Sequence, residues 1–150
     1  MTHSKKEIIE LIKRGKSITE IRKNFGGIPS DYNSALRELI KEDNVESIMD
    51  DLARNLPQHI FFFRRELEKL YHASTGEYLP SSYSIGKIIE RIYENGHRKI
   101  LFKILKAMAE RGIKEFEKMQ EDYPSLKNEI DERIGKLKEV IEKLNKLMET

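Results

Sequence analysis

Histidines are the residues of this 150-residue chain best suited to acid–base or metal chemistry near neutral pH. They lie far apart, as His3, His59, His72 and His97, and none has a second histidine three or four residues away, the spacing typical of a metal site on a helix. The sequence has no cysteine, which excludes disulfides and thiolate metal sites. The pair Gly26-Gly27 lacks the spacing, the lysine and the preceding strand of a phosphate-binding loop. We therefore predict no catalytic residues, no metal, no cofactor and no small-molecule substrate.

Basic residues are concentrated near the N-terminus, although the net charge of the whole chain is only +2. Residues 1–41 contain nine lysines and arginines against five acids, a net charge of +4, so the remaining residues carry −2. Charged residues make up 36% of the chain, which resembles the composition of thermophile proteins. No apolar run approaches the roughly 20 residues of a membrane-spanning helix, and the N-terminus leads straight into an amphipathic pattern. We therefore expect a cytoplasmic protein without a membrane partner.

Apolar residues recur with the helical period along the chain, which predicts an all-α protein. Ser-x-x-Glu capping boxes at Ser4 and Ser17 open the first two helices. Glycines end these helices, at Gly15 and at Gly26-Gly27. A third helix is predicted from Pro29 to about Glu42. Its inner face carries Tyr32, Ala35, Leu36 and Leu39.

The rest of the chain is predicted to form five more helices. Their limits are Asp43 to before Pro57, about Ile60 to Tyr71, Ile85 to Gly96, Ile100 to before Pro124, and Ser125 to the C-terminus. The segment Thr75–Ser82 contains a glycine and a proline and is the best predicted loop.

The last helix carries a heptad seam. Its apolar residues are spaced by 4, 3, 4, 3 and 4 positions, and they are Ile130, Ile134, Leu137, Ile141, Leu144 and Met148. A seam of this length is compatible with two structures, a coiled-coil homodimer and a hairpin in which the seam packs on the seventh helix of the same chain. The sequence leaves both open.

Residues Lys5 to Glu46 resemble the helix-turn-helix family of DNA-binding domains. The blocks that carry the resemblance, in the order that the family has them, are Ile8-Ile9-Glu10-Leu11-Ile12, Gly15-Lys16-Ser17-Ile18-Thr19-Glu20-Ile21, Phe25-Gly26 and Ala35-Leu36-Arg37-Glu38-Leu39-Ile40. In the family, the second helix braces the DNA backbone and the third lies in the major groove. The chain departs from the family pattern at Arg22, where a small residue is usual, in a longer turn, and at Asp31, an acid at the start of the third helix.

The resemblance implies two sets of contact residues. The base-facing set is Ser30, Tyr32, Asn33, Ser34 and Arg37, and the phosphate-contacting set is Lys16, Ser17, Thr19, Arg22 and Lys23. The residue types suit these roles, because asparagine and arginine make bidentate contacts to adenine and guanine edges. Lysine, serine and threonine bind phosphate and set the register of the protein on the duplex.

Two other patterns concern nucleic acid. The run Phe61-Phe62-Phe63, followed by Arg64-Arg65, fits either a stacking surface for single strands or core packing. The pairs Arg54…His59, Arg65…His72 and Arg91…His97 resemble the RNase motif of the HEPN family of helical bundles. Because the pattern occurs three times, and because Pro57 would break the helix between the nearest pair, we predict no nuclease site.

A different resemblance implies a different class of function. Ile28-Pro29-Ser30-Asp31-Tyr32 and Arg98-Lys99-Ile100-Leu101, each at the start of a helix, resemble the helical domain of archaeal GINS replication subunits. That resemblance implies a non-catalytic subunit of a multi-protein assembly, held by protein partners. The two hypotheses differ in structure: DNA binding requires Asn33 and Arg37 in solvent, whereas an assembly subunit should expose an apolar patch, for example at Phe61-Phe62.

The sequence therefore predicts an N-terminal helix-turn-helix domain of three or four short helices, residues 1–55. A helical bundle or oligomerisation domain with a long C-terminal heptad helix follows, residues 56–150. The expected function is sequence-preferring binding of double-stranded DNA, as a homodimeric transcriptional regulator or chromosome-associated factor. In such a dimer, two recognition helices meet half-sites about one helical turn apart.

Overall fold

The computed structural model describes residues 5–58 and 63–149, and these residues form helices and connecting turns without a strand. The prediction of an all-α fold with a long C-terminal helix is therefore confirmed. The helices are α1 (Lys5–Lys13), α2 (Ile18–Phe25), α3 (Tyr32–Glu42), α4 (Val45–Asn55), α5 (Phe63–Thr75), α6 (Ile85–Glu94), α7 (Arg98–Asp122) and α8 (Lys127–Met148). A short 3-10 turn, Pro124–Leu126, leads into α8.

The helices pack into two compact units, each built from two stretches of the chain. Within the described residues, unit 1 comprises the chain up to Asn44 together with Phe63–Leu101. Unit 2 comprises the stretch that starts at Val45 and the stretch that starts at Phe102. The predicted division at residue 55 does not coincide with these units, because α4 belongs to the second unit while α5 and α6 belong to the first.

Unit 1 is organised around α3 and α6. Helix α1 packs on α3, α3 packs on α6, and α6 packs on α5. The side chains of Ile12, Leu39 and Ile88, from three of these helices, are fully buried. Burying an aliphatic side chain of this size stabilises a fold by about 1.5–3 kcal/mol, so this core fixes the orientation of α3.

A buried ion pair joins the end of α3 to the start of α7 within unit 1. Arg98 donates from Nε to Oδ2 of Asp43 at 2.7 Å and from Nη2 to Oδ1 at 2.8 Å. The hydroxyl of Tyr93 donates to the same Oδ2 at 2.7 Å. Burial lowers the pKa of Arg98, but the hydrogen bond and charge of Asp43 outweigh it and raise that pKa. Removing one partner of such a pair costs about 3–5 kcal/mol, so the pair fixes this junction in one arrangement.

Unit 2 contains the heptad seam, which packs within the chain. Helix α8 packs on α4, and the seam residues Ile130, Ile134, Leu137 and Leu144 are buried. Val140, outside the seam, is buried too, while Ile141 and Met148 are half-buried. The buried stripe is therefore wider than a two-residue heptad seam, as a helix on a globular core requires. Of the two structures left open by the sequence, the intrachain one is observed, but with α4 as the partner of the seam.

The connection between α5 and α6, residues 76–84, is held by hydrogen bonds to α5. Arg64 donates to the carbonyl oxygen of Tyr83 at 2.6 Å and to that of Ser81 at 3.0 Å. Thr75 Oγ1 accepts from the amide of Glu77 at 3.1 Å. The predicted loop Thr75–Ser82 is thus largely correct, and α6 starts after it behind the cap residue Ser84.

Candidate nucleic-acid interface

Helix α2 is fixed at both ends and by one buried residue. Ser17 Oγ accepts from the amide of Glu20 at 3.3 Å, which satisfies one of the free amides of the first turn. Gly26 adopts a left-handed conformation, φ +69°, at the C-terminal cap. Ile21 is fully buried and anchors the helix to the core. Both helix limits agree with the capping box and the glycine pair in the sequence.

The predicted phosphate-contacting residues lie on or next to α2. Lys16, Thr19, Arg22 and Lys23 are exposed, whereas Ser17 is half-buried and its hydroxyl is already used by the cap. Lys16 forms an ion pair with Glu20 at 3.5 Å. Arg22, which replaces the small residue usual in the family, points away from the core, so its size causes no packing conflict.

The turn between α2 and α3 is longer than the sequence predicted. Helix α3 starts at Tyr32 and not at Pro29, because the amide of Tyr32 donates to the carbonyl oxygen of Pro29 at 3.1 Å and closes a separate turn. Asp31 precedes the helix but its side chain accepts no capping hydrogen bond. Ile28, within this turn, is 53% exposed. The turn therefore presents an apolar side chain and the acid of Asp31 at the N-terminal end of α3.

Helix α3 presents a polar stripe to solvent. Asn33, Arg37 and Lys41 are exposed and follow one another at four-residue spacing, so they share one face of the helix. Ser34 is exposed beside them, and Ser30 is exposed in the preceding turn. The sequence prediction missed Lys41, although its four-residue spacing from Arg37 was the signal that placed it on this stripe.

Tyr32 is the exception among the predicted base-facing residues. Its side chain is 1% exposed, so it is not available to a base edge, and the prediction that it faces DNA is wrong in this structure. Burial, with a smaller effect of the charge of Glu94, raises the pKa of Tyr32 above its ordinary value. Among the described residues the Tyr32 hydroxyl has no hydrogen-bond partner. The apolar spacing of α3 predicted Tyr32 on the inner face of the helix, and on this point it was correct where the helix-turn-helix resemblance was not.

Ion pairing distributes the free charge of unit 1 unevenly. On α5 and α6, most cations are paired with a glutamate three or four residues away, and these are Arg64, Lys69, Lys87 and Arg91. On α2 and α3, Arg22, Lys23, Arg37 and Lys41 form no ion pair within the described residues. The acids Glu20 and Glu38 are instead paired, with Lys16 and with Lys5. The unpaired positive charge of these two helices is therefore available to an external anion.

The histidine and aromatic patterns form no site in the part of the chain that the structure describes. His59, Phe61 and Phe62 lie outside the described residues. The ring of His72 stacks on that of Tyr78, with centroids 4.1 Å apart, and His97 is half-buried. Residues 5–58 and 63–149 contain no group of three side chains suited to hold a metal ion.

Comparisons with protein-family models, with curated proteins and with solved structures gave no match to this chain. Among the described helices, none has the length and apolar character needed to cross a membrane.

Proposed function

We propose that this protein binds duplex DNA with a sequence preference, laying α3 in the major groove, and acts as a transcriptional regulator or chromosome-associated factor. The observation that carries the proposal is the polar stripe of α3. Asn33 and Arg37 are exposed on one helix face, and both can make bidentate contacts to base edges. Ser34 beside them adds a short hydrogen-bonding side chain that tolerates close approach of the helix to the groove.

Helix α2 has the backbone role in this proposal. Its exposed Arg22 and Lys23 form no ion pair within the described residues, and Thr19 offers a hydroxyl one turn earlier. Contacts of this kind to phosphates fix the register of a protein on the duplex without reading sequence. The buried Ile21 and the two caps hold α2 in place, so its cations are presented by a rigid element.

The proposal includes a homodimer on DNA, which presents two copies of α3 to half-sites separated by about one helical turn. The seam of α8 is packed on α4, so the contact between the two chains uses another surface. We expect two chains per selected duplex, measured by multi-angle light scattering of the complex.

A binding experiment on α3 tests the proposal. Duplexes selected from a random pool and a scrambled control are titrated with the wild type and with Asn33→Ala and Arg37→Ala. Each truncation should weaken binding to the selected duplex by about 5- to 150-fold, because one bidentate base contact is worth about 1–3 kcal/mol. Binding to the scrambled duplex should change far less, so the discrimination between the two falls.

Arg65→Ala is the matched control, since Arg65 is an exposed arginine of unit 1 on α5 and outside the proposed contact surface. It should leave both affinities within about twofold of the wild type. Failure to select any preferred sequence, or equal losses for Arg37→Ala and Arg65→Ala, would contradict the proposal. Such a result would favour the helical assembly subunit instead.

A further inference from the structure

Two helix corners of unit 1 meet at a pair of glycines. Gly15 follows the C-terminal end of α1 and Gly96 follows that of α6, and both glycines have positive φ, +85° and +78°. Each corner has the same hydrogen bonds: the amide of Lys16 donates to the carbonyl of Leu11, and that of His97 to the carbonyl of Ile92, both at 3.1 Å. Each of the two corners is therefore a glycine-containing C-terminal helix cap.

The two corners are in backbone contact. A Cβ atom added to Gly96 would lie 2.3 Å from the carbonyl oxygen of Gly15 and 3.4 Å from the carbonyl carbon of Lys16. The segment that begins at Lys16 therefore lies directly against Gly96. Lys99 follows Gly96 by three residues, so the Cα atoms of the two residues lie within roughly 11 Å of each other at 3.8 Å per residue.

This backbone contact joins two distant parts of the sequence. Four cations within three residues of the two glycines are here named the corner patch: Lys13, Arg14, Lys16 and Lys99. Arg14, Lys16 and Lys99 are exposed, and Lys13 is half-buried. Lys13, Arg14 and Lys99 form no ion pair with any residue in 5–58 or 63–149. Arg98, between the corner and Lys99, is not part of the patch because it is buried against Asp43.

Acidic residues near the corners neutralise only part of the corner patch. Glu20 is paired with Lys16 at 3.5 Å, and Glu94 is paired with Arg91 at 3.2 Å. Glu10 lies one turn before Arg14 on α1 and is exposed. Positive charge is therefore in excess at this place.

The position of Lys99 is not explained by its own helix. It lies in the first turn of α7, which contains no acid, and the helix dipole disfavours a cation there. The positions of Lys13 and Arg14, in contrast to that of Lys99, are explained by their own helix, because the C-terminal end of α1 favours cations. The repulsion between the clustered cations is also unfavourable. A bound anion offsets both this repulsion and the unfavourable interaction of Lys99 with the helix dipole.

We infer that the corner patch is a second phosphate-contacting surface for duplex DNA, with Arg14 and Lys99 as contact residues that α2 and α3 do not supply. The inference rests on the proposed DNA binding and deepens it. The patch joins the α2 surface through Lys16, so the DNA backbone can run from Arg22 and Lys23 towards the start of α7.

The test measures how the affinity for one duplex depends on salt between 50 and 200 mM. Each phosphate contact adds about 0.9 to the slope of log affinity against log salt concentration. The double variant Arg14→Gln/Lys99→Gln should therefore lower the slope by about 1.8, as should Arg22→Gln/Lys23→Gln. The matched control is Arg65→Gln/Lys69→Gln, which removes one arginine and one lysine from α5 of the same unit. Circular dichroism melting checks that each variant keeps the wild-type fold.

The outcomes separate the inference from the proposal on which it rests. An unchanged slope for Arg14→Gln/Lys99→Gln together with a lower slope for Arg22→Gln/Lys23→Gln overturns the corner patch and leaves DNA binding by α2 and α3. A slope lowered equally by the control on α5 also overturns the patch, because it shows a general effect of charge. No binding by the wild type at 50 mM salt overturns both.

Discussion

At the scale of single residues, two buried tyrosines of unit 1 differ in their partners. The hydroxyl of Tyr93 donates to Asp43 at 2.7 Å, while that of Tyr32 has no partner among the described residues. Burial raises the pKa of both, and for Tyr93 the neighbouring carboxylate of Asp43 raises it further. The two residues thus give a matched pair in which the same substitution, Tyr→Phe, has different consequences.

We predict that Tyr93→Phe lowers the free energy of unfolding at pH 7 by about 1.5–3 kcal/mol, because a hydrogen bond to a charged acceptor is lost. Tyr32→Phe should leave it unchanged or raise it by up to about 1 kcal/mol, because a buried hydroxyl without a partner is removed. Urea unfolding of the two variants and the wild type measures both values. Equal losses for the two variants would contradict the observed difference in partners.

The pH dependence follows from the direction of the pKa shifts. A phenol with a raised pKa in the folded state stabilises the fold fully below the unfolded pKa, near 10, and this contribution is lost as the pH rises above it. Between pH 7 and pH 11 each such tyrosine should cost the wild type about 1.4 kcal/mol. Tyr32→Phe should therefore lose less stability than the wild type over this range.

The exposure and the partners of a side chain were predictable from the sequence only where they depend on neighbouring residues in the same helix. The exposure of Asn33 and Arg37 follows from the apolar spacing of α3, which already placed Tyr32 inside. The pairing of Asp43 with Arg98 was not predicted, because no periodicity links residues so far apart in sequence. Such a pair becomes visible only when the packing of the helices is known.

At the scale of elements, helix limits were predicted well where a cap or a glycine marks them. The start of α2 follows from Ser17, and α1, α2 and α6 end within two residues before Gly15, Gly26 and Gly96. The start of α3 was predicted too early, because Pro29 is favourable in the first turn of a helix but here closes a separate turn. The contact between the corners of Gly15 and Gly96 had no signal in the sequence beyond the glycines themselves.

We predict that Gly96→Ala lowers the free energy of unfolding by about 2–5 kcal/mol. A Cβ atom there meets the backbone of Gly15 at 2.3 Å, and a positive φ is unfavourable for alanine. Gly76→Ala is the matched control: its φ is +76°, but a Cβ atom would have no neighbour within 4 Å. The control should cost about 1–2 kcal/mol. Equal effects of the two substitutions, measured by urea unfolding, would show that the corner contact is not tight.

At the scale of the whole molecule, the sequence predicted the fold class but not how the helices are shared between the units. Local propensities and periodicity determine the helices, whereas the choice of α4 as the partner of α8 depends on the fit of two distant apolar stripes. The heptad spacing of α8 was correct, yet the same spacing serves a coiled coil and an intrachain packing. Most residues of the candidate interface lie within one continuous segment, so a local sequence motif is enough to propose them.

A salt titration of wild-type binding to duplex DNA tests most directly whether α2 and α3 bind DNA. With Lys16, Arg22 and Lys23 at phosphates, affinity should fall by at least roughly 40-fold between 50 and 200 mM salt. Neutralising Arg22, Lys23 and Arg37 together should weaken binding strongly at 50 mM and flatten this dependence. Absence of binding at 50 mM salt, or binding that the triple variant leaves unchanged, would contradict the proposal that α2 and α3 bind DNA.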